Sequence, residues 1–164
     1  MEILFRKANV KDAEEISAIW SVICSERIYS AVNRPFTTEQ EREYISSLSE
    51  REGIFVAEKD NQITGFQSLD KWAKYSDSFD HVAVIGTFVL PSWREKGIGR
   101  QLTQYVFNFA RNHSYEKIVI YVRASNSGAI TFYKNLGFIQ KGILKLQVKI
   151  DDQYDDEIFM EFFL

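Results

Sequence analysis

Cysteine and histidine are nearly absent: the 164 residues hold one Cys, Cys24, and two His, His81 and His113. A lone thiol cannot close an internal disulfide, and Cys24 falls in a helical pattern where a buried thiol serves as a small hydrophobe. Two isolated imidazoles leave zinc without a recognisable ligand set, so no metal is expected. Long apolar runs are missing too. No stretch suffices to span a bilayer, and Met1 leads into alternating, strand-like residues instead of a charged region followed by an apolar secretory core. Positive charge is not in excess, since 20 Lys and Arg against 23 Asp and Glu give a formal charge of −3. The chain as a whole therefore attracts neither nucleic acid nor an anionic membrane, and any anion site has to be local. Together these absences predict a cytoplasmic protein with no nucleic-acid or membrane partner.

What is present is ordinary for one globular domain. Hydrophobic residues make up 45% and charged residues 26%, and no repeat, low-complexity tract or linker divides the chain, so residues 1–164 are read as a single domain. Glu2 to Ala8 is strand-like, and Val10, Ala13, Ile16, Ile19, Trp20 and Ile23 follow helical spacing. Thr38 with Glu41 has the spacing of a capping box for a second helix carrying Ile45 and Leu48 inward. Gly53–Glu58 and Ile63–Leu69 flank the polar turn Lys59–Gln62 as an antiparallel hairpin. Val82–Leu90 and Ile118–Val122 are continuous apolar runs separated by a helix, which predicts a parallel, right-handed crossover. Phe138–Val148 and Tyr154–Leu164 close the chain around the turn Asp151-Asp152-Gln153. The predicted fold is α/β (α+β), a mixed central sheet of about six or seven strands flanked by about four helices.

The chain is organised around Phe88-Val89-Leu90-Pro91-Ser92-Trp93-Arg94-Glu95-Lys96-Gly97-Ile98-Gly99-Arg100. A strand leaves the sheet, a basic glycine turn follows, and Ile98, Leu102, Tyr105, Val106, Phe109 and Ala110 open an amphipathic helix. A helix N-terminus offers unpaired N–H donors and the positive end of a dipole, which is how a backbone holds a phosphate. Arg94, Lys96 and Arg100 add charge. A second segment, Asn126 to Phe138, combines an N-capping Asn, an apolar helix face and a glycine stop. Asn126 and Tyr133 lie two helical turns apart and can face one groove. A dinucleotide site fits poorly, because the glycine spacing departs from Gly-x-Gly-x-x-Gly and no acidic residue closes the next strand.

Arg94-x-x-Gly97-x-Gly99 resembles the acetyl-coenzyme A signature of the Gcn5-related N-acetyltransferase (GNAT) superfamily, Arg/Gln-x-x-Gly-x-Gly/Ala. The segment from Asn126 through Ala129 and Tyr133 to Gly137 and Phe138 is similar to that superfamily's other cofactor segment. The resemblance implies acetyl-CoA as co-substrate, with its diphosphate on Arg94, Glu95, Lys96, Gly97, Ile98, Gly99 and Arg100. Its pantetheine arm would run between splayed parallel strands, along the main chain of Phe88 and Val89, with Asn126 bonding the arm or the helix start. Tyr133 becomes the general acid for the departing thiolate, and a main-chain N–H near Phe88 or Val89 the oxyanion donor. The implied activity is direct acetyl transfer to a primary amine of a small molecule or peptide in a ternary complex. The early helices and their connection form the acceptor wall in this superfamily, with Tyr29, Arg34 and Phe36 as lining candidates, and homodimers are common.

One departure stands out. The strand Val82–Leu90 holds no glutamate, the residue that often relays the amine proton there in relatives. His81 is the nearest candidate base, with Asp80 and Glu26 behind it. The missing carboxylate also motivates the alternative of a coenzyme A-binding sensor or regulatory module without turnover. The acids Asp151, Asp152, Asp155, Asp156 and Glu157 read as a solvated surface beside a hairpin, with attraction of a cationic amine as the competing reading.

Overall fold

The computed structural model of the protein describes residues 2–164. In chain order the elements are β1 (Leu4–Lys7), α1 (Ala13–Ser25), α2 (Thr38–Ser47), β2 (Gly53–Lys59), β3 (Gln62–Lys71) and β4 (Val82–Val89), followed by α3 (Ile98–Asn112), β5 (Lys117–Arg123), α4 (Ser127–Leu136), β6 (Ile139–Ile150) and β7 (Gln153–Phe163). The strands form one seven-stranded sheet in the order β1-β2-β3-β4-β5-β7-β6. All neighbours are antiparallel except β4 and β5, joined through α3.

Local chemistry accounts for the joints. Asp60 and Asn61 between β2 and β3, and Asp151 and Asp152 between β6 and β7, all have φ between 50° and 62°. A two-residue hairpin with both residues left-handed matches the twist of its strands, and Asp and Asn tolerate that region better than most side chains. The second helix starts one residue earlier than its sequence suggests. Thr37, not Thr38, is the N-cap, and its partner in the capping box is Gln40. Glu41 is thereby turned inward and is only 3% exposed.

Because side chains alternate along each strand, the sheet feeds two separate cores. On one face Ile16, Ile19, Trp20 and Ile23 of α1 pack on Ile54, Val56 and Phe66. On the other, Leu102, Val106, Phe107 and Ala110 of α3 and Tyr133 of α4 pack on Phe55, Leu69, Ile85, Ile118, Ile120 and Met160. Thr103 and Phe107 hold buried positions on α3, whereas Tyr105, expected inward, is 40% exposed.

The feature that makes a site is where pairing stops. Strands β4 and β5 are matched only over Val82/Lys117, Ala83/Ile118 and Val84/Val119. Beyond that, β4 stays paired with β3 as far as Val89 and β5 stays paired with β7 as far as Arg123. The two strands part while each keeps its outer neighbour, which is the expected splay.

Candidate active site

Main-chain polarity in the gap follows from strand alternation. His81 O accepts from Glu116 and Lys117 on the β5 side, whereas Val82 O accepts from Trp72 and Leu90 N–H donates to Thr64 O on the β3 side. Odd-numbered residues of β4 therefore aim their N–H and C=O toward β5, so Thr87 and Val89 present main chain to the gap. Phe88, expected to do the same, turns its main chain to Phe66 of β3 and its ring onto Trp20. Thr87, not Phe88, presents main chain to the gap. An unpaired strand edge between two walls is a ready acceptor for an extended arm.

At the top of the gap, Pro91–Trp93 forms a short 3₁₀ turn, and Gly97 caps α3 with φ +79°. The first bond of the helix runs from Gln101 N–H to Gly97 O. The N–H groups of Ile98, Gly99 and Arg100 thus have no acceptor behind them, as at any helix start. The two glycines do different work. Gly97 supplies the left-handed turn, while a Cβ on Gly99 would stand 3.2 Å from the Phe132 ring. That glycine serves the close approach of α4 to α3 more than room for a phosphate.

A cavity of about 640 Å³ follows the gap. Phe88, Val89, Arg94, Glu95, Gly97, Ile98, Gly99, Arg100, Asn126 and Tyr133 of the expected set all line it. Lys96 does not; its ammonium lies 4.9 Å from the Trp93 ring centre. Neither does His81, which is exposed at the opening end of β4. Six residues of extended strand separate it from Thr87, on the order of 20 Å, so His81 cannot accept a proton at the gap. The charge on Arg94 is also already matched. Its guanidinium donates to both carboxylate oxygens of Glu26, at 2.9 and 2.6 Å, and to Val89 O at 2.9 Å, with the Tyr29 ring 4.2 Å away. The hydrogen bonds and charge of Glu26, with a smaller contribution from Tyr29, raise Arg94 further above its usual range against the opposing effect of burial. The positive end left for a diphosphate is the helix start and Arg100, which meets no carboxylate among the described residues.

Below the glycine turn, Asn126 caps α4 by accepting from Ala129 N–H. Two turns on, Tyr133 is 6% exposed, and its hydroxyl sits 2.8 Å from Thr87 Oγ1. Burial pushes the phenol up to about 12. Thr87 belongs to a buried polar chain that the sequence reading missed. Gln67 Nε2 donates to Thr87 Oγ1 at 2.7 Å and to Thr103 Oγ1 at 2.9 Å, and Thr103 donates to Gly99 O at 2.8 Å. Thr87 Oγ1 accepts from Gln67 and still has its own hydrogen and a second lone pair, so it can either donate to Tyr133 Oη or accept from it. The only signal was Gln67 beside Phe66 within the hairpin strand Ile63–Leu69. Gln67 is fully buried and its Oε1 has no partner, a cost of about 1–3 kcal/mol.

On the opposite face, the connection after α1 closes the cavity with Tyr29, Ser30 and Ala31. Arg123 ties it down by donating to Arg27 O and Ser30 O while pairing with Asp155 at 2.9 Å. Of the expected lining residues, Tyr29 faces this cavity. Phe36 instead lines a separate apolar pocket with Trp20, Glu41, Tyr44 and Phe66, and Arg34 lines neither. The acids near the C-terminus are not uniformly solvated: Asp155 and Asp156 are paired with Arg123 and Lys145, and Glu157 lines the main cavity.

A splayed parallel strand pair, a glycine-headed helix at its mouth and a buried phenol in the gap are the features that the two sequence segments anticipated. Residues 18–138 match the model of the Acetyltransferase (GNAT) family, and the chain belongs to that family. An uncharacterized N-acetyltransferase, MJ1207, of Methanocaldococcus jannaschii is 32% identical over 107 residues, 63% of this chain and 47% of that protein. The L-amino acid N-acyltransferase MnaT of Escherichia coli is 27% identical over 86 residues, 52% of this chain and 49% of that protein. The chain thus spans about half the length of these two relatives. A phosphinothricin acetyltransferase from Sinorhizobium meliloti, solved with acetyl-CoA, superposes with a TM-score of 0.90 at 17% identity, over 100% of this chain and 89% of that one.

Proposed function

We propose that the chain transfers an acetyl group from acetyl-CoA to a primary amine by direct attack in a ternary complex: the neutral amine forms the C–N bond as the C–S bond breaks, the thiolate takes the Tyr133 proton, and the proton shed by nitrogen returns through water to Tyr133. Family membership and the cavity's fit to a long, anionic, partly extended ligand support the co-substrate. Bound there, acetyl-CoA would supply the acetyl group as an activated thioester. The N–H groups of Ile98, Gly99 and Arg100 and the Arg100 side chain would hold its diphosphate, and the main chain of Thr87 and Val89 its arm. The relatives' names support an amine acceptor.

The observation that carries this reading is the Tyr133 hydroxyl on Thr87 at the gap. A departing thiolate needs a proton, and a phenol held at about 12 keeps its proton throughout the neutral range. A thiol in water titrates near about 8.5, and the same dry surroundings raise the proton affinity of a thiolate. Thiol release from acetyl-CoA across a panel of primary amines, with Tyr133→Phe alongside, tests the proposal. Acceptor-dependent release lost in the variant is expected; acetyl-CoA binding without release for any amine would leave a binding module instead.

Cytoplasmic residence belongs to the same proposal, supported by the single buried thiol of Cys24. Among the described residues no helix is long and apolar enough to cross a membrane. Homodimerisation is also part of it, supported by the outer strand β6, where Ile139, Ile143 and Leu146 are exposed. Sedimentation at micromolar concentration tests that point.

A further inference from the structure

Resting on the acetyltransferase reading, we infer that the acceptor is a cationic primary amine without a carboxylate, held by Glu157. Three observations lead there. Strand β7 carries four acids, and three have partners: Asp155 has Arg123, Asp156 has Lys145, and Glu161 has Lys117 and Lys141. Only Glu157 meets no donor among the described residues, and it is the member of the set that lines the main cavity.

Its position is on the acceptor side. Glu157 sits opposite Arg123 in the β5–β7 register, and alternation places it on the same sheet face as Tyr121, Arg123 and Phe159. That face lies under Tyr29, Ser30 and Ala31, across the sheet from α4, which delivers Tyr133. Burial without a counter-charge raises the Glu157 carboxyl, the state expected of an acid waiting for a cation.

The third observation concerns what the acceptor end lacks. A zwitterionic amino acid would need a cation for its carboxylate, and the two arginines there are committed. Arg94 is bidentate on Glu26, and Arg123 is spent on Asp155 and the carbonyls of Arg27 and Ser30. Arg100 lies at the far end, at the start of α3. The rest of the lining on that side, Ile23, Tyr29, Ser30, Ala31 and Tyr121, carries no positive charge. An unpaired carboxylate on the acceptor would therefore be desolvated against apolar and aromatic surface beside Glu157, whereas an ammonium on an alkyl or aryl body satisfies both.

The test uses pairs that differ only in the carboxylate: phenethylamine with L-phenylalanine, tyramine with L-tyrosine, isoamylamine with L-leucine. Thiol release is followed with saturating acetyl-CoA for the native protein and for Glu157→Gln. Each amine should exceed its amino acid at least tenfold in kcat/KM. Glu157→Gln should raise the amine KM at least tenfold while the KM for acetyl-CoA stays unchanged, a split that general damage to the fold would not give. Amino acids turned over as well as or better than the amines, or an unchanged amine KM in Glu157→Gln, would overturn the substrate class and leave acetyl transfer standing. Absence of release with every acceptor would overturn both.

Discussion

The two faces of the sheet are built on different principles. On the α3/α4 face, the cofactor half is made from short sequence segments whose backbone does the work: a left-handed Gly97, a helix start, and a capped helix that carries Tyr133 to the gap two turns later. On the α1/α2 face, the acceptor half is made by side chains from distant parts of the chain. Arg94 reaches Glu26 68 residues away, and Arg123 reaches Arg27 96 residues away. One half is local and readable; the other exists only after folding.

That contrast suggests where each half breaks. The largest effect should follow from Tyr133→Phe, which removes one oxygen from the cofactor half and leaves the packing. A fall in kcat of about 10²–10⁴-fold is expected, with the thermal shift given by acetyl-CoA unchanged. A next-largest effect belongs to stability on the acceptor face. Burial lifts Glu41 from 4.5 to about 7, and one of its oxygens has no partner. A raised carboxyl binds a proton more tightly in the folded chain, so its contribution is full below 4.5 and is lost as pH rises through about 7. Glu41→Gln, neutral throughout, should be more stable than the native protein at pH ~8 by up to about 3 kcal/mol. The margin should vanish below about pH 4.5 when denaturant unfolding is compared across pH.

Smaller effects probe the seam between the halves. Glu26→Ala frees Arg94 and untethers the connection after α1, so the acceptor KM should rise about tenfold, the scale of one charge-assisted bond. The KM for acetyl-CoA should hold or fall, because the freed guanidinium then faces the helix start. Equal rises in both would mean that Arg94 and Glu26 serve one site rather than the seam between two. Smallest of all, His81→Ala should leave kcat and its pH profile unchanged, consistent with an exposed residue at the opposite end of β4.

What the sequence revealed follows the same division. Alternating and helical periodicities located seven strands and four helices, since each signal spans a few neighbouring residues. The glycine turn, the Asn126 cap and Tyr133 were legible for that reason. Arg94 was legible as a position but not as a charge, because its neutralising Glu26 lies on another element. His81 was misplaced because nearness along the chain to the cofactor strand is not nearness to the gap. Thr87 was missed, and Glu157 was named only as one of five acids with a solvated surface preferred, because strand parity, which decides what faces the cavity, depends on the register with β3, β5 and β7. The capping box slipped by one residue, since Thr37 and Thr38 are equivalent until packing selects which brings Glu41 inward.

The central claim is that the gap between β4 and β5 holds the acyl donor with its sulfur at Tyr133. A crystal structure with acetyl-CoA addresses it directly. The account predicts the diphosphate on the N–H groups of Ile98, Gly99 and Arg100, the arm bonded to the main chain of Thr87 and Val89, and the Tyr133 hydroxyl within about 3.5 Å of the sulfur, allowing for its size. A thioester lodged on the His81 side of the paired segment, or a Tyr133 hydroxyl turned away from the sulfur, would contradict it.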